Sequence, residues 1–144
     1  MEFFEEIQYP GVAAEALNEH LQIYALPGYC HIIDTVFSDS NSIGEIYSVW
    51  GQFIVSRQEI RNGIRFASID CPHAFAWTST CHDDRNMLLI HCTINDREED
   101  EEFVESIRDF VSEWDAGLSN GLPKTTWHDV CCAVTLPMNR RDTY

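Results

Sequence analysis

Lysine occurs once in this 144-residue chain, at Lys124, and the nine basic residues face 24 acids, for a formal net charge of −15. A surface so poor in positive charge repels phosphate backbones and anionic lipid headgroups, which excludes direct nucleic-acid binding and electrostatic membrane attachment. No apolar run approaches the roughly 20 residues of a membrane-spanning helix. The opening Met1-Glu2-Phe3-Phe4-Glu5-Glu6 is acidic where an export signal is basic, so the expected location is the cytoplasm.

Chemical signatures are missing as well. There is no Cys-x-x-Cys knuckle, Gly-rich phosphate loop, Gly-x-Ser-x-Gly elbow, His-Glu-x-x-His pair or calcium loop. No catalytic residue and no cofactor can be assigned from sequence, and the expectation leans away from an enzyme. Six cysteines are present, but without an export signal they read as free, buried thiols rather than a disulfide framework.

What is there begins with aromatics: four Trp, five Tyr and eight Phe, too many for a disordered chain and enough for one core. The expected organisation is a single α+β domain over residues 1–144, with 137–144 a frayed tail. Its centre is an antiparallel meander from Ile46 to Ile94, with a long first strand and a bulge at Gly51. The sheet is expected to have five or six strands. Asn62-Gly63 marks a hairpin. A three-residue loop, Arg61-Asn62-Gly63, pairs Ile60 with Ile64, Glu59 with Arg65 and Val55 with Ile69, with Gly63 in the left-handed position. The next hairpin turns at Asp83-Asp84-Arg85-Asn86. A four-residue loop there sets Phe75, Trp77, Ser79 and Cys81 opposite Ile94, Cys92, Ile90 and Leu88 on one face. Met87-Leu88-Leu89-Ile90 is apolar on both faces, which places that strand inside the sheet.

Helical spacing predicts an amphipathic helix over Glu98–Ala116, with an Asp96/Glu99 capping box and Gly117 as its stop. Phe103, Ile107, Phe110, Val111 and Trp114 fall within an arc of about 100°. A shorter helix is expected over Val12–Ile23, ended by Pro27-Gly28, then a strand over Tyr29–Phe37 and a loop at Ser38–Ser42. Residues 1–10 read as an extended lead-in or edge strand, and Val130–Leu136 as a last strand. An exposed edge at Tyr29–Phe37 or Val130–Leu136 offers a second copy of the chain a place to pair.

Three constellations could carry function. The outer arc of the long helix holds Glu98, Glu101, Glu102, Glu105, Asp109 and Glu113, spaced at about one charge per 4–5 Å, near the 3.4 Å repeat of charges along one DNA strand. Such a row suits a basic protein partner, a toxin or nucleic-acid enzyme, in the manner of an immunity protein or nucleic-acid-mimic inhibitor. A plain solvated helix face is the simpler explanation. Cys71, His73, His82 and His91 form the second constellation. Cys71-Pro72-His73 combines a thiol at a strand break with an imidazole, a pairing that can serve a metal, haem or nucleophilic chemistry. Packed thiols and hydrogen-bonded imidazoles explain the same residues. The third is Trp50, Trp77, Trp114 and Trp127 with the phenylalanines, as lining of a small-molecule pocket between sheet and helix or simply as core. The leading expectation is a small acidic binding protein. The alternative is a small-molecule- or metal-binding domain, or an enzyme, with its pocket between sheet and helix.

Overall fold

Two-residue alternation of apolar and polar side chains drives most of the chain before residue 95 into strands. The computed structural model describes residues 1–8, 14–40, 42–71, 73–82, 87–95 and 100–122. Within them lie β1 (Glu2–Gln8), β2 (Ile33–Ser40), β3 (Ile43–Ser48), β4 (Gly51–Ile60), β5 (Gly63–Ser68), β6 (Ala76–His82) and β7 (Met87–Thr93). They form one antiparallel sheet in the order β1-β7-β6-β5-β4-β3-β2. The helices are α1 (Ala14–His20), α2 (Leu26–Tyr29) and α3 (Glu101–Gly121), with a 3-10 turn at Ile23–Ala25. The fold is α+β as expected. Its strands number seven among the described residues because the expected bulge at Gly51 is a tight turn instead. Ser48 pairs with Gly51 across Val49-Trp50, Gly51 adopts φ +113°, and Ser48 Oγ accepts from Trp50 N at 3.2 Å.

The β6–β7 register is the expected one: Trp77 lies opposite Cys92, Ser79 opposite Ile90 and Cys81 opposite Leu88. The β4–β5 register is not. Ile60 pairs with Gly63, Glu59 with Ile64 and Val55 with Ser68, leaving Arg61-Asn62 as a two-residue loop in which Asn62, not Gly63, has positive φ (64°). Matching apolar with apolar failed because Arg57 points into the core side opposite Phe66. Its guanidinium is satisfied there by the end of the first helix, donating to Asn18 O at 2.6 Å and Leu21 O at 2.8 Å. Unpaired helix carbonyls and a partial negative charge make that end a good seat for a cation. Gly63 has a different use: a Cβ there would clash with the Ser79 carbonyl oxygen, so its lack of a side chain lets β5 approach β6.

One contiguous core joins the inner sheet face (Val55, Ile64, Phe66, Trp77, Leu88, Ile90) to Leu17, Leu21, Leu26 and the apolar stripe of α3. Ile107, Phe110, Val111 and Trp114 are buried as expected, joined by Leu118, while Phe103 is only partly so. Each such side chain stabilises the fold by at most about 1.5–3 kcal/mol. Asp100 caps α3, its carboxylate accepting from Glu102 N at 3.4 Å; the expected Asp96/Glu99 box lies outside the described residues. Nor does Gly117 stop the helix. A Cβ at Gly117 would clash with the Tyr29 carbonyl oxygen, so glycine is required for α3 to pass α2.

The N-terminal half departs most from expectation. Helix α1 ends at His20, and Pro27 opens α2 rather than ending a helix, since proline lacks the donor that a first turn does not use. Strand β2 begins at Ile33 and continues through the expected Ser38 loop to Ser40, and β1 is an edge strand paired with β7. β2 is the other edge, and its pairing with β3 shifts register between Ile33 and Thr35 and between Val36 and Ser38. Such irregularities, with exposed Asp34 and Asp39, discourage edge-to-edge pairing. The Val130–Leu136 strand lies outside the described residues. Among those described, no helix is long and apolar enough to cross a membrane.

Candidate functional site

Trp50, at the β3–β4 turn, is swung over the first turns of α3. Its indole N–H donates to Ser106 Oγ at 2.8 Å, and Ser106 Oγ in turn donates to Phe103 O at 2.6 Å. The ring meets Phe75 edge-on at 5.2 Å between centroids and Phe103 at 6.1 Å. Across from it runs the link between β5 and β6. Asp70 Oδ1 accepts from Ile54 N at 3.0 Å, and Ala74 N donates to Cys71 O at 3.1 Å. Asn95 N donates to His73 O at 2.8 Å, which fastens this link to the end of β7. Ala74 adopts φ +52°, a conformation costing a non-glycine residue about 1–2 kcal/mol. This backbone carries the His73 ring onto Phe103, where the two stack at 4.0 Å.

Between these groups lies a cavity of about 260 Å³ lined by Trp50, Phe53, Cys71, His73, Phe75 and Phe103. Among the described residues its walls are aromatic with two polar groups, the Cys71 thiol and the His73 imidazole, and no charged side chain. Deeper in, the space closes. Phe75, Trp77 and Phe110 pack at 5.0–5.1 Å, and the void among them is only about 10 Å³. Among the described residues, this cavity lies at the rim between sheet and helix, near the start of α3.

Two of the four residues in the Cys/His constellation, Cys71 and His73, thus share a cavity. The other two do not join them. His82 pairs with Met87, and His91 pairs with Thr78 on the opposite sheet face, where its Nε2 lies 2.7 Å from Glu2 Oε1 and Phe4 stacks on its ring at 4.4 Å. Strand alternation is the reason: Cys81 and Cys92 take the inner face and their histidine neighbours the outer. Among the described residues no three His, Cys, Asp or Glu side chains converge as metal ligands do. Of the tryptophans, Trp50 lines the cavity, Trp77 and Trp114 are buried in the core, and Trp127 lies outside the described residues.

The acidic row divides. Glu101, Glu102, Glu105 and Asp109 are exposed, and Glu113 is half-buried with a carboxylate oxygen 4.0 Å from His31 Nδ1. Glu98 lies outside the described residues. Arg108 sits on the β1 side of α3, 3.6 Å from Glu105 and with its guanidinium 5.9 Å from the Phe3 ring centroid. Two further depressions follow the other flank of α3: one of about 460 Å³ bordered by Ile32, Val49, Ser106, Asp109, Ser112 and Glu113, and one of about 390 Å³ beside Tyr29, His31 and Glu113.

Other titrating groups are structural. Burial pushes the thiols of Cys30 and Cys92 up to about 11 and about 12, so both stay protonated. Glu5, on β1, is raised chiefly by a hydrogen bond with the Asp115 carboxylate, then by burial and by the like charge. Sequence reasoning named Trp50 and Cys71/His73 separately. It missed Ser106, which holds Trp50, and no local signal marks it, because the two are 56 residues apart.

No protein-family model and no curated protein matches this sequence. The fold, by contrast, is shared with solved structures. It is similar to the protein XoxI from Bacillus cereus (TM-score 0.58, 13% identity, covering 85% of this chain and 94% of that one). It is also similar to an uncharacterized protein from Bacillus thuringiensis (0.56, 12%, covering 83% and 98%). A START superfamily protein from Mycobacterium smegmatis is a third such structure (0.54, 11%, covering 83% and 96%). At these identities the likeness is one of fold alone.

Proposed function

We propose that this chain is a small binding domain, acting in the cytoplasm, whose rim cavity takes a flat aromatic or apolar group. The observation that supports it most is the aromatic-walled space of about 260 Å³, beside which the void among Phe75, Trp77 and Phe110 is only about 10 Å³. An apolar cavity of about 150 Å³ takes benzene, so this one has room for about ten non-hydrogen atoms. Cys71 and His73 supply the hydrogen-bonding groups that would orient it. Sharing a fold with a START superfamily protein is compatible with this reading and does not define the ligand. Indole is the probe that tests it. Titration should shift the NMR signals of His73 and Trp50, and Cys71→Phe, which fills the cavity, should remove the response while the protein stays folded. An unchanged response in the filled variant would sink the proposal.

A second reading is favoured by one specific arrangement. Glu101, Glu102, Glu105 and Asp109 are all exposed on α3, and Arg108 is the helix's only cation. We infer from it a docking face for a basic protein of the toxin or nucleic-acid-enzyme type, as an immunity protein or nucleic-acid mimic would use. Changing the four to Gln or Asn should abolish low-salt binding to an immobilised cationic nuclease and leave the melting temperature unaltered. Retained binding rules that face out.

A further inference from the structure

We propose that the rim cavity and the carboxylates Asp109 and Glu113 belong to one groove, and that this groove takes an extended basic peptide segment with an aromatic anchor. The inference rests on the cavity reading and adds the chemistry of the partner.

Three depressions lie along α3: the second and third share a wall residue, and one hydrogen bond joins the lining of the first to that of the second. Trp50 bounds the cavity, and the residue that accepts its indole hydrogen bond, Ser106, borders the second depression. Glu113 borders both the second and the third. From Phe103 to Gly121 the flank is about 27 Å long at 1.5 Å per residue, far more than a ten-atom ligand covers. A chain molecule matches that length.

Charge changes along the groove. Among the described residues the cavity end has no charged wall. The second depression pairs apolar Ile32 and Val49, the latter 67% exposed, with Asp109 and Glu113. Arg108 is engaged on the other side of the helix by Glu105 and Phe3 and does not neutralise this flank. The nearest described basic group is His31, 4.0 Å from Glu113. Asp109 and Glu113 lie about 9 and 15 Å beyond Phe103 along the helix axis. An extended peptide advances about 3.3 Å per residue and alternates its side chains, so basic residues two and four positions from an aromatic one share its face, at about 7 and 13 Å, within a lysine side chain's reach of both carboxylates. The aromatic residue would be the buried anchor on which such complexes rely, and the charges would set register and on-rate.

The test is isothermal titration of the full chain with acetylated, amidated Trp-Gly-Lys-Ser-Lys and with its reverse sequence, alongside indole as a cavity-only probe. In one orientation the peptide should bind at least tenfold tighter than indole at low ionic strength. Replacing both lysines by glutamine should reduce it to the level of indole, and so should 0.5 M salt, where screening falls to about 3–5 Å. The double variant Asp109→Asn/Glu113→Gln should lose the same factor, with indole affinity and melting temperature unchanged. If neither orientation exceeds indole, or the lysine-free peptide binds equally well, the inference is overturned and the cavity reading survives. If indole itself fails to bind, both are lost.

Discussion

The indole N–H of Trp114 donates to Ser79 Oγ at 2.8 Å, with both residues fully buried, so the long helix is tied to the middle of β6 by a hydrogen bond inside the core. Ser79→Ala should therefore destabilise the protein by about 1–3 kcal/mol, because it strands a buried donor. Ser68 Oγ is also buried but has no hydrogen-bonding partner among the described residues, so the same change at Ser68 should be neutral or slightly stabilising. Urea unfolding of the two variants side by side checks the contrast. Equal losses would mean that the indole bond contributes nothing.

Gly117 and Gly121 lie one turn apart against Tyr29. Alanine is favoured over glycine within a helix by about 1 kcal/mol, so any loss on substitution reports packing. At Gly117 the new Cβ meets the Tyr29 carbonyl, which cannot yield, and the expected cost is about 2–4 kcal/mol. At Gly121 it meets the edge of the Tyr29 ring, which can move, so the cost should be much smaller. Thermal melts should rank Gly117→Ala well below Gly121→Ala.

Arg57 is expected to resist conservative replacement. Its fork serves two separate carbonyls, Asn18 O and Leu21 O, while its side chain is only 10% exposed. Arg57→Lys offers a single ammonium and should lose about as much stability as Arg57→Met, about 2–3 kcal/mol. Full rescue by lysine would show that charge alone matters at the end of α1.

The raised Glu5 carboxyl gives a pH signature. A carboxyl whose folded pKa lies above its ordinary value of 4.5 contributes stability at pH below that value and loses it as pH rises through the folded pKa. At neutral pH the Glu5–Asp115 pair is a repulsion. Glu5→Gln, which keeps a donor to Asp115 and removes the charge, should raise the melting temperature at pH 7. The gain should vanish near pH 4. A gain independent of pH would detach the effect from this pair.

Thiol labelling should be site-selective. Burial holds Cys30 at about 11 and Cys92 at about 12, so at pH 8 thiolate is scarce at both and alkylation should await unfolding. Cys71 lines the open cavity and should be modified in the native protein, more slowly once indole is bound. Peptide mapping by mass spectrometry reads each site. Native modification of Cys92 ahead of Cys71 would contradict this burial pattern.

Local rules carried a definite part of this fold. Alternation over Ala76–His82 and Met87–Thr93 fixed both the faces and the register of β6 and β7, because a four-residue loop leaves one arrangement in which the apolar sets coincide. The apolar period of α3 likewise picked the side that meets the sheet. Those patterns are short-range, set by 2.0 and 3.6 residues per repeat. Local rules failed where a distant group changed what a residue was for. Arg57 was inward because helix carbonyls waited there, and Gly117 was helical because Tyr29 passed beside it. The cavity belongs to the second class. Trp50, the Cys71/His73 pair and Phe103 come from three separate stretches, and only closure of the sheet against the helix brings their side chains around one space.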